Sequence, residues 1–217
     1  ANTIVLFQTN HDFFSTNTIV SPNFSLAEKI LIQDRSLLNI TSNIDTYLEV
    51  MSSNLKIDIG YASSTYKNIV NNSDLRTVIS ESYRYGFELR SGFRKGFNFH
   101  AGTKWTTNAI STQSVNNSFT DNLSFLDLLF TFSERLDLQL QTERYFFGNL
   151  DENNTYYFLD LDLSYNITPN HWALSLTGKN LFNTNTFKTF AVNDLGNTIT
   201  EYRLLPRYIL LKAAFSF

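Results

Sequence analysis

Two carboxylates one residue apart, Asp160 and Asp162, are the pair in this 217-residue chain most open to a chemical reading. In an extended strand they share one face about 7 Å apart, a spacing that suits general acid–base work or a calcium ion. Ordinary alternation on a wet face explains them better. Asp160, Asp162, Ser164 and Asn166 continue one polar register against Leu159, Leu161, Leu163, Tyr165 and Ile167. His11, His100 and His171 stand singly, at no ligand spacing. No nucleophile elbow, phosphate-binding glycine loop or zinc motif occurs. The absence of cysteine excludes thiolate nucleophiles, thiolate metal sites and disulfides. The acidic segment from Asn149 to Asn154 reads as a solvated loop. The expectation is a protein that is not an enzyme, with no cofactor and no metal.

The elements that position these side chains announce themselves by a period of two. Leu55, Ile57, Ile59 and Tyr61 alternate with Lys56, Asp58 and Gly60; Tyr83, Tyr85, Phe87 and Leu89 alternate with Arg84, Gly86, Glu88 and Arg90. Leu136, Leu138 and Leu140 oppose Asp137, Gln139 and Gln141, and Trp172, Leu174 and Leu176 oppose Ser175, Thr177 and Lys179. No segment has helical periodicity of similar quality, so the chain is read as all-β. About ten strands are expected, near 3–13, 36–50, 54–68, 74–91, 96–111, 118–133, 135–147, 155–168, 171–183 and 200–217. Tight turns at 51–54, 91–96, 133–134 and 168–170 take turns with longer or Asn-rich connections at 14–35, 69–73, 112–117, 148–154 and 184–199. Such alternation of short and long is the signature of an antiparallel up-and-down meander. The run Arg144-Tyr145-Phe146-Phe147 breaks the pattern and reads as a bulge or as part of an outer aromatic girdle. The longest connection, 14–35, holds its own apolar stretch from Ala27 to Ile32 and reads as a β-rich flap; it and 184–199 are where an external ligand would be met.

Composition gives the sheet an unusual polarity. Charged residues are 17% of the chain, below the roughly 25% of ordinary soluble domains. Aromatics reach 15%, and there are 25 Asn against 3 Pro. Mean hydropathy is -0.19 and no apolar run reaches 18 residues, which rules out a helical membrane protein. A net charge of -3 gives no basic footprint for nucleic acid. Strands of ten residues or more exceed the 5–6 typical of sandwiches and match the roughly 9–11 needed to cross a bilayer. The apolar faces named above contain no Lys or Arg, whereas the opposite face carries Lys56, Asp58, Arg84, Glu88, Arg90, His100, Lys104, Asp127, Asp137, Gln139, Gln141, Glu143, Asp160, Asp162, Lys179 and Lys212. This is the polarity of a transmembrane β-barrel, lipid outside and a polar lumen inside. The mixed signs fit a wall that hydrogen-bonds to a plug or to itself, rather than a single-sign pore. Trp172, Tyr165, Phe97 and Phe215 suit an aromatic belt at the short-turn end.

The last segment, Tyr208 to Phe217, places Ile209, Leu211, Ala213, Phe215 and Phe217 on one face. A final strand ending on an aromatic resembles the signal that the outer-membrane assembly machinery of bacteria recognises. Gly178-Lys179-Asn180-Leu181-Phe182-Asn183, a loop, Glu201-Tyr202-Arg203-Leu204-Leu205-Pro206-Arg207 and this strand together resemble the carboxyl end of TonB-dependent outer-membrane receptors. The loops around Phe147-Gly148-Asn149-Leu150-Asp151 and Ser73-Asp74-Leu75-Arg76 are similar to those of Bacteroidetes-type barrels. The terminal motif covers about 40 residues directly.

The resemblance implies an outer-membrane location and a transport function: a barrel that binds and imports a nutrient, with Ile209, Leu211, Phe215 and Phe217 as the assembly signal. Such receptors have a 22-stranded barrel around an N-terminal plug that engages TonB. Residues 1–217 show no plug and room for about ten strands, so the resemblance implies the carboxyl-terminal segment of a larger barrel. Ala1 leads directly into Thr3-Ile4-Val5-Leu6-Phe7, which reads as a mature product or a piece of something longer. The implied partners are membrane lipid, the remaining strands and plug from another segment or chain, TonB through that part, and surface lipoproteins. The remaining strands are expected beside residues 3–13 and 200–217, in preference to those two strands pairing with each other. The alternative function is a non-transporting barrel that scaffolds other surface proteins.

Overall fold

The computed structural model describes residues 1–32, 34–92, 96–168 and 171–215. Among the described residues fourteen strands form, and no helix longer than one 3-10 turn, Glu49–Met51. In chain order they are β1 (Asn2–Asn10), β2 (Phe13–Ser21), β3 (Phe24–Ile32), β4 (Arg35–Leu48), β5 (Ser53–Val70), β6 (Arg76–Ser91), β7 (Phe97–Ser111), β8 (Asn116–Ser133), β9 (Leu136–Phe147), β10 (Thr155–Thr168), β11 (Trp172–Lys179), β12 (Thr186–Asn193), β13 (Gly196–Arg203) and β14 (Tyr208–Phe215). Ten of them make one antiparallel meander in the order β1-β4-β5-β6-β7-β8-β9-β10-β11-β14. The sheet is not closed: β1 and β14 are its ends, and among the described residues they do not pair with each other.

Two hairpins interrupt the meander at the long-loop end. β2 and β3 pair with each other, and β2 also touches β5 in parallel at Asn17 and Ile69. β12 and β13 form a separate two-stranded sheet. The flap expected within 14–35 is therefore the β2–β3 hairpin. Two expected strands are corrected by the second hairpin. The strand read as 171–183 ends at Lys179, because Asn180 takes the left-handed conformation and turns the chain out of the sheet. The strand read as 200–217 is two elements: residues 200–203 belong to β13, and β14 begins at Tyr208. Pro206, which has no N–H to give a ladder, lies in the gap. Nor is there a bulge at Arg144–Phe147, where β9 stays in register with both neighbours. The expected turns at 91–96 and 168–170 and the terminal Phe217 lie wholly or partly outside the described residues.

The asparagine surplus has a local cause. Of eight non-glycine residues with positive φ, five are Asn (71, 72, 153, 180 and 183), all at the long-loop end. Asn tolerates this backbone because its short amide bonds locally. Asn71 and Asn72 also reach across to the first hairpin: Asn71 Oδ1 accepts from the Val20 backbone N–H, and Asn72 Oδ1 accepts from the Asn17 side chain.

Register then sorts the sheet into two faces. Ile57 lies opposite Phe87, Leu128 opposite Leu140, Leu140 opposite Leu161, and Leu163 opposite Leu176, all on one side. Lys56 opposite Glu88, Asp127 opposite Gln141 and Asp162 opposite Gln139 fall on the other. A conventional core is nearly missing, with Val78, Phe119, Leu150 and Tyr156 the buried apolar residues among those described. The apolar face is instead bare, with Ile59 at 56% and Leu211 at 69% exposed. Leaving such side chains in water forgoes about 1.5–3 kcal/mol each.

Candidate functional site

The polar face is the candidate site, and it is built from ion pairs laid between neighbouring strands. On β5, Lys56 Nζ lies 3.0 Å from Asp58. Glu88 on β6 takes Lys104 Nζ of β7 at 2.8 Å and faces His100 Nε2 at 3.5 Å; the other imidazole nitrogen lies 3.9 Å from Asp127 of β8. Phe125 closes edge-on over His100, and its ring occupies the space above Gly102, where an added Cβ would come within 2.6 Å of it. Lys179 bridges the carboxylate pair that the sequence offered for chemistry, at 3.1 Å from Asp160 and 3.2 Å from Asp162. Thr177 donates to Asp162, and the Asn180 backbone N–H donates to Asp160. Those carboxylates hold β10 to β11 and set the turn at Asn180, so each of their oxygens already accepts a structural bond. Among the described residues no group of three His, Cys, Asp or Glu side chains is gathered closely enough to hold a metal.

The remaining sequence-selected residues take these places. Arg84 lies across Gly60 and lines a depression of ≈ 350 Å³ with Asn43, Asp58 and Lys104. Arg90 and Gln139 line a second, of ≈ 300 Å³, beside His100 and Asp127. Gln141 lines a third, of ≈ 180 Å³, with Phe125, Asp127, Glu143, Phe158 and Asp160. Asp137 faces Ser164, and Lys212 faces Ser175 on the outermost strand. All twelve polar positions thus share one face by register. Ile209, Leu211 and Phe215 line the opposite face of β14, with Phe215 stacked at 4.9 Å on Trp172.

What the sequence reading missed is a strap. The β12–β13 hairpin leaves the sheet after β11 and lies across the polar face of β8, β9 and β10. Its Phe187 enters a cage of Tyr156, Tyr145, Phe147 and Phe158, with ring centroids at 5.0, 5.2, 5.6 and 6.0 Å. Phe190 meets Phe119 edge-on at 5.9 Å. At the tip, Asp194 reaches β5 and β6: its Oδ2 accepts from Arg76 Nη2 at 2.5 Å and from Asn68 Nδ2 at 2.6 Å, with Arg76 Nε held on Asn68 Oδ1. Both carboxylate and guanidinium are largely buried, at 12% and 18% exposure. Burial pushes the nearby Tyr66 hydroxyl up to about 12, and the Asp194 carboxylate adds to the rise. At the base, the Asn180 side chain bonds Thr184 and the Leu205 carbonyl, and Asn183 Oδ1 receives the Arg207 N–H. Tyr145 and Phe147, read as girdle residues, therefore face the strap; Arg144 and Phe146, which alternate with them, take the apolar side.

Aromatics also mark both limits of the apolar face. Tyr61 pairs with Tyr83 at 4.8 Å and Tyr85 stacks on Trp105 at 5.2 Å towards the long-loop end. Phe97 pairs with Phe130 at 5.0 Å, and Trp172 with Phe215, towards the short turns. Beyond Tyr61 the same side of β5 turns polar with Ser63, Thr65 and Lys67, so Tyr66 lies past the apolar band. Comparison with models of protein families, with curated proteins and with solved structures gave no match for this chain.

Proposed function

We propose that this chain is part of an outer-membrane transport barrel, the carboxyl-terminal barrel segment of a TonB-dependent receptor that binds and imports a nutrient. The observation that carries the reading is the bare apolar face framed by two aromatic rows. From Phe97 to Trp105 is eight residues, and from Tyr157 to Tyr165 is eight more. At about 3.4 Å per residue that is about 27 Å of strand. A tilt near 40° reduces it to about 21 Å, close to the roughly 25 Å apolar band of outer-membrane barrels. Between the rows that face is uncharged up to Arg144, which lies opposite Tyr157 at the long-loop limit and donates to Asn122 Oδ1 at 2.9 Å. The opposite face, with ion pairs and cavities, suits the wall of a lumen. A strap folded across that wall supports ligand handling over inert scaffolding, which has no use for one.

Nitroxide labels placed singly at Leu159, Asp160, Leu161, Asp162 and Leu163 test the orientation in reconstituted bilayers. Relaxation by oxygen is expected to dominate at the three leucines, and relaxation by a water-soluble nickel chelate at the two aspartates. If the leucines are shielded from oxygen and the aspartates are not, the membrane reading fails and transport fails with it.

A further inference from the structure

We propose that the cage beneath the β12–β13 hairpin is a binding site for a ligand that carries an aromatic ring next to a cationic group, with Phe187 as its built-in occupant. This deepens the transport reading and rests on it for the route by which a ligand arrives.

The cage departs from the wall around it. Elsewhere β9 and β10 present Gln139, Gln141, Asp160 and Asp162 to this side, but near the long-loop end they present Tyr145, Phe147, Tyr156 and Phe158. The rings meet Phe187 at interplanar angles of 60–79°, and this edge-to-face enclosure accepts a flat aromatic ring. Tyr156 adds a second, independent sign. It is only 6% exposed, yet its hydroxyl has no hydrogen-bond partner. An orphaned buried hydroxyl is costly to the fold, and a ligand polar group entering the cage would satisfy it.

Charge identifies the rest of the ligand. Phe158 forms both a wall of the cage and a wall of the ≈ 180 Å³ cavity that holds Asp127, Glu143 and Asp160. Glu143 ties the two spaces together by accepting the Tyr145 hydroxyl at 2.9 Å. Lys179 balances Asp160, while Asp127 has an imidazole nitrogen of His100 at 3.9 Å. An ammonium or guanidinium one or two bonds from the ring would enter this cavity and offset its negative charge.

The hairpin is able to leave. Its ladder is internal, Thr186 to Asn193 on Gly196 to Arg203, so lifting it breaks no pairing of the ten-stranded sheet. Among the described residues, the Asn180–Asn185 and Leu204–Arg207 connections, the ring contacts and the Asp194 latch hold it down.

Phenethylamine is the probe, read by saturation-transfer NMR on the purified protein in detergent, with protein-free micelles subtracted. Cyclohexylethylamine and 2-phenylethanol, which lack the ring or the charge, are controls. The ring protons of phenethylamine are expected to saturate more strongly than either control signal. Phe187→Ala should tighten its binding about tenfold, since the self-occupant no longer competes. The chain has no cysteine, so a disulfide between Asn68→Cys and Asp194→Cys would clamp the hairpin shut. That clamp should abolish binding, and dithiothreitol should restore it. Binding unchanged by the clamp, or equal binding of the controls, overturns the proposal. Because the variants are read by ligand contact and the bilayer labels by lipid contact, a failure here leaves the lipid orientation standing, and a failure there leaves the cage standing.

Discussion

Replacing Asp194 by alanine should free the β12–β13 hairpin while leaving the ten-stranded sheet folded. The carboxylate takes two charge-assisted bonds, from Arg76 Nη2 and Asn68 Nδ2, in a site where it is 12% exposed. Breaking a fully buried pair costs about 3–5 kcal/mol, most of it from the partner charge left unpaired. Arg76 would not be left alone, because its Nε keeps the Asn68 carbonyl oxygen at 2.8 Å. The cost should therefore fall to about 2 kcal/mol, in the range of one hydrogen bond to a charged group. At 1.4 kcal/mol per decade, the opening constant of the hairpin rises about thirtyfold. Hydrogen exchange read by mass spectrometry resolves this, since peptides covering 186–203 should exchange about thirtyfold faster while peptides from 155–168 keep their wild-type rate. Exchange unchanged over 186–203 would show that the ring contacts alone hold the strap. Acceleration across the whole chain would show that the strap is part of the sheet's own stability.

Other expectations concern the same wall. Tyr66, with its hydroxyl pushed up to about 12 when the latch is closed, stabilises the closed form fully below pH 10. That contribution is lost as pH rises through 12, so the hairpin's protection factor, its exchange relative to the intrinsic hydroxide-catalysed rate, should fall over this window more in the wild type than in Tyr66→Phe. Lys179→Met strips the shared cation from Asp160 and Asp162; with these groups about a third exposed, the loss should be about 1 kcal/mol in urea unfolding, recovered in part by adding Asp162→Asn. Gly148→Ala places a Cβ 2.3 Å from the Thr120 backbone oxygen, which cannot yield as a side chain would. It should destabilise by about 1–3 kcal/mol, and an unchanged midpoint would contradict the close approach.

The faces of the strands were legible because a half-polar sheet writes its geometry into every second residue. That Lys56 and Glu88 lie on polar faces and Leu159, Leu161 and Leu163 on an apolar one needed only a period of two, while the pairing of Lys56 with Glu88 comes from the register of the folded sheet. The strap was not legible for a physical reason. In β12, Phe187, Thr189 and Ala191 alternate with Lys188, Phe190 and Val192, so neither side is plainly apolar. A hairpin resting on discrete pockets, rather than on a continuous core, has no pressure to alternate. The latch is farther still from sequence reading, with Asp194 118 residues from Arg76 and 126 from Asn68. Turn chemistry was the one available signal: Asn193-Asp194-Leu195-Gly196 has the Asx and glycine residues of a tight hairpin, and Pro206 bars a continuous strand to the end. Arg144-Tyr145-Phe146-Phe147 reads as a bulge or a girdle because four adjacent large residues show no contrast between faces; the unbroken ladder with β8 and β10 carries the parity of Gln141 and Glu143 on to Tyr145 and Phe147.

The two edge strands bear on what completes this sheet. Inner strands keep their faces distinct, but β1 offers Ile4, Val5, Leu6 and Phe7 in succession, exposed by 50–66%, and β14 offers Ile209, Leu210 and Leu211, exposed by 55–70%. Proteins that leave an edge to water guard it with charge, proline or a bulge. β1 has no charged residue between Asn2 and Asn10, β14 has one in Lys212, neither contains proline, and both pair with their single neighbours without a register shift. Each therefore presents an unguarded row of N–H and C=O groups together with apolar side chains on both faces. In hydrocarbon those groups cost several kcal/mol apiece unless another strand takes them. Edges of this composition are suited to further strands that are themselves in an apolar medium. That supports a ten-stranded arc within a larger closed barrel, with the strapped wall as its inner side, over a free-standing sheet.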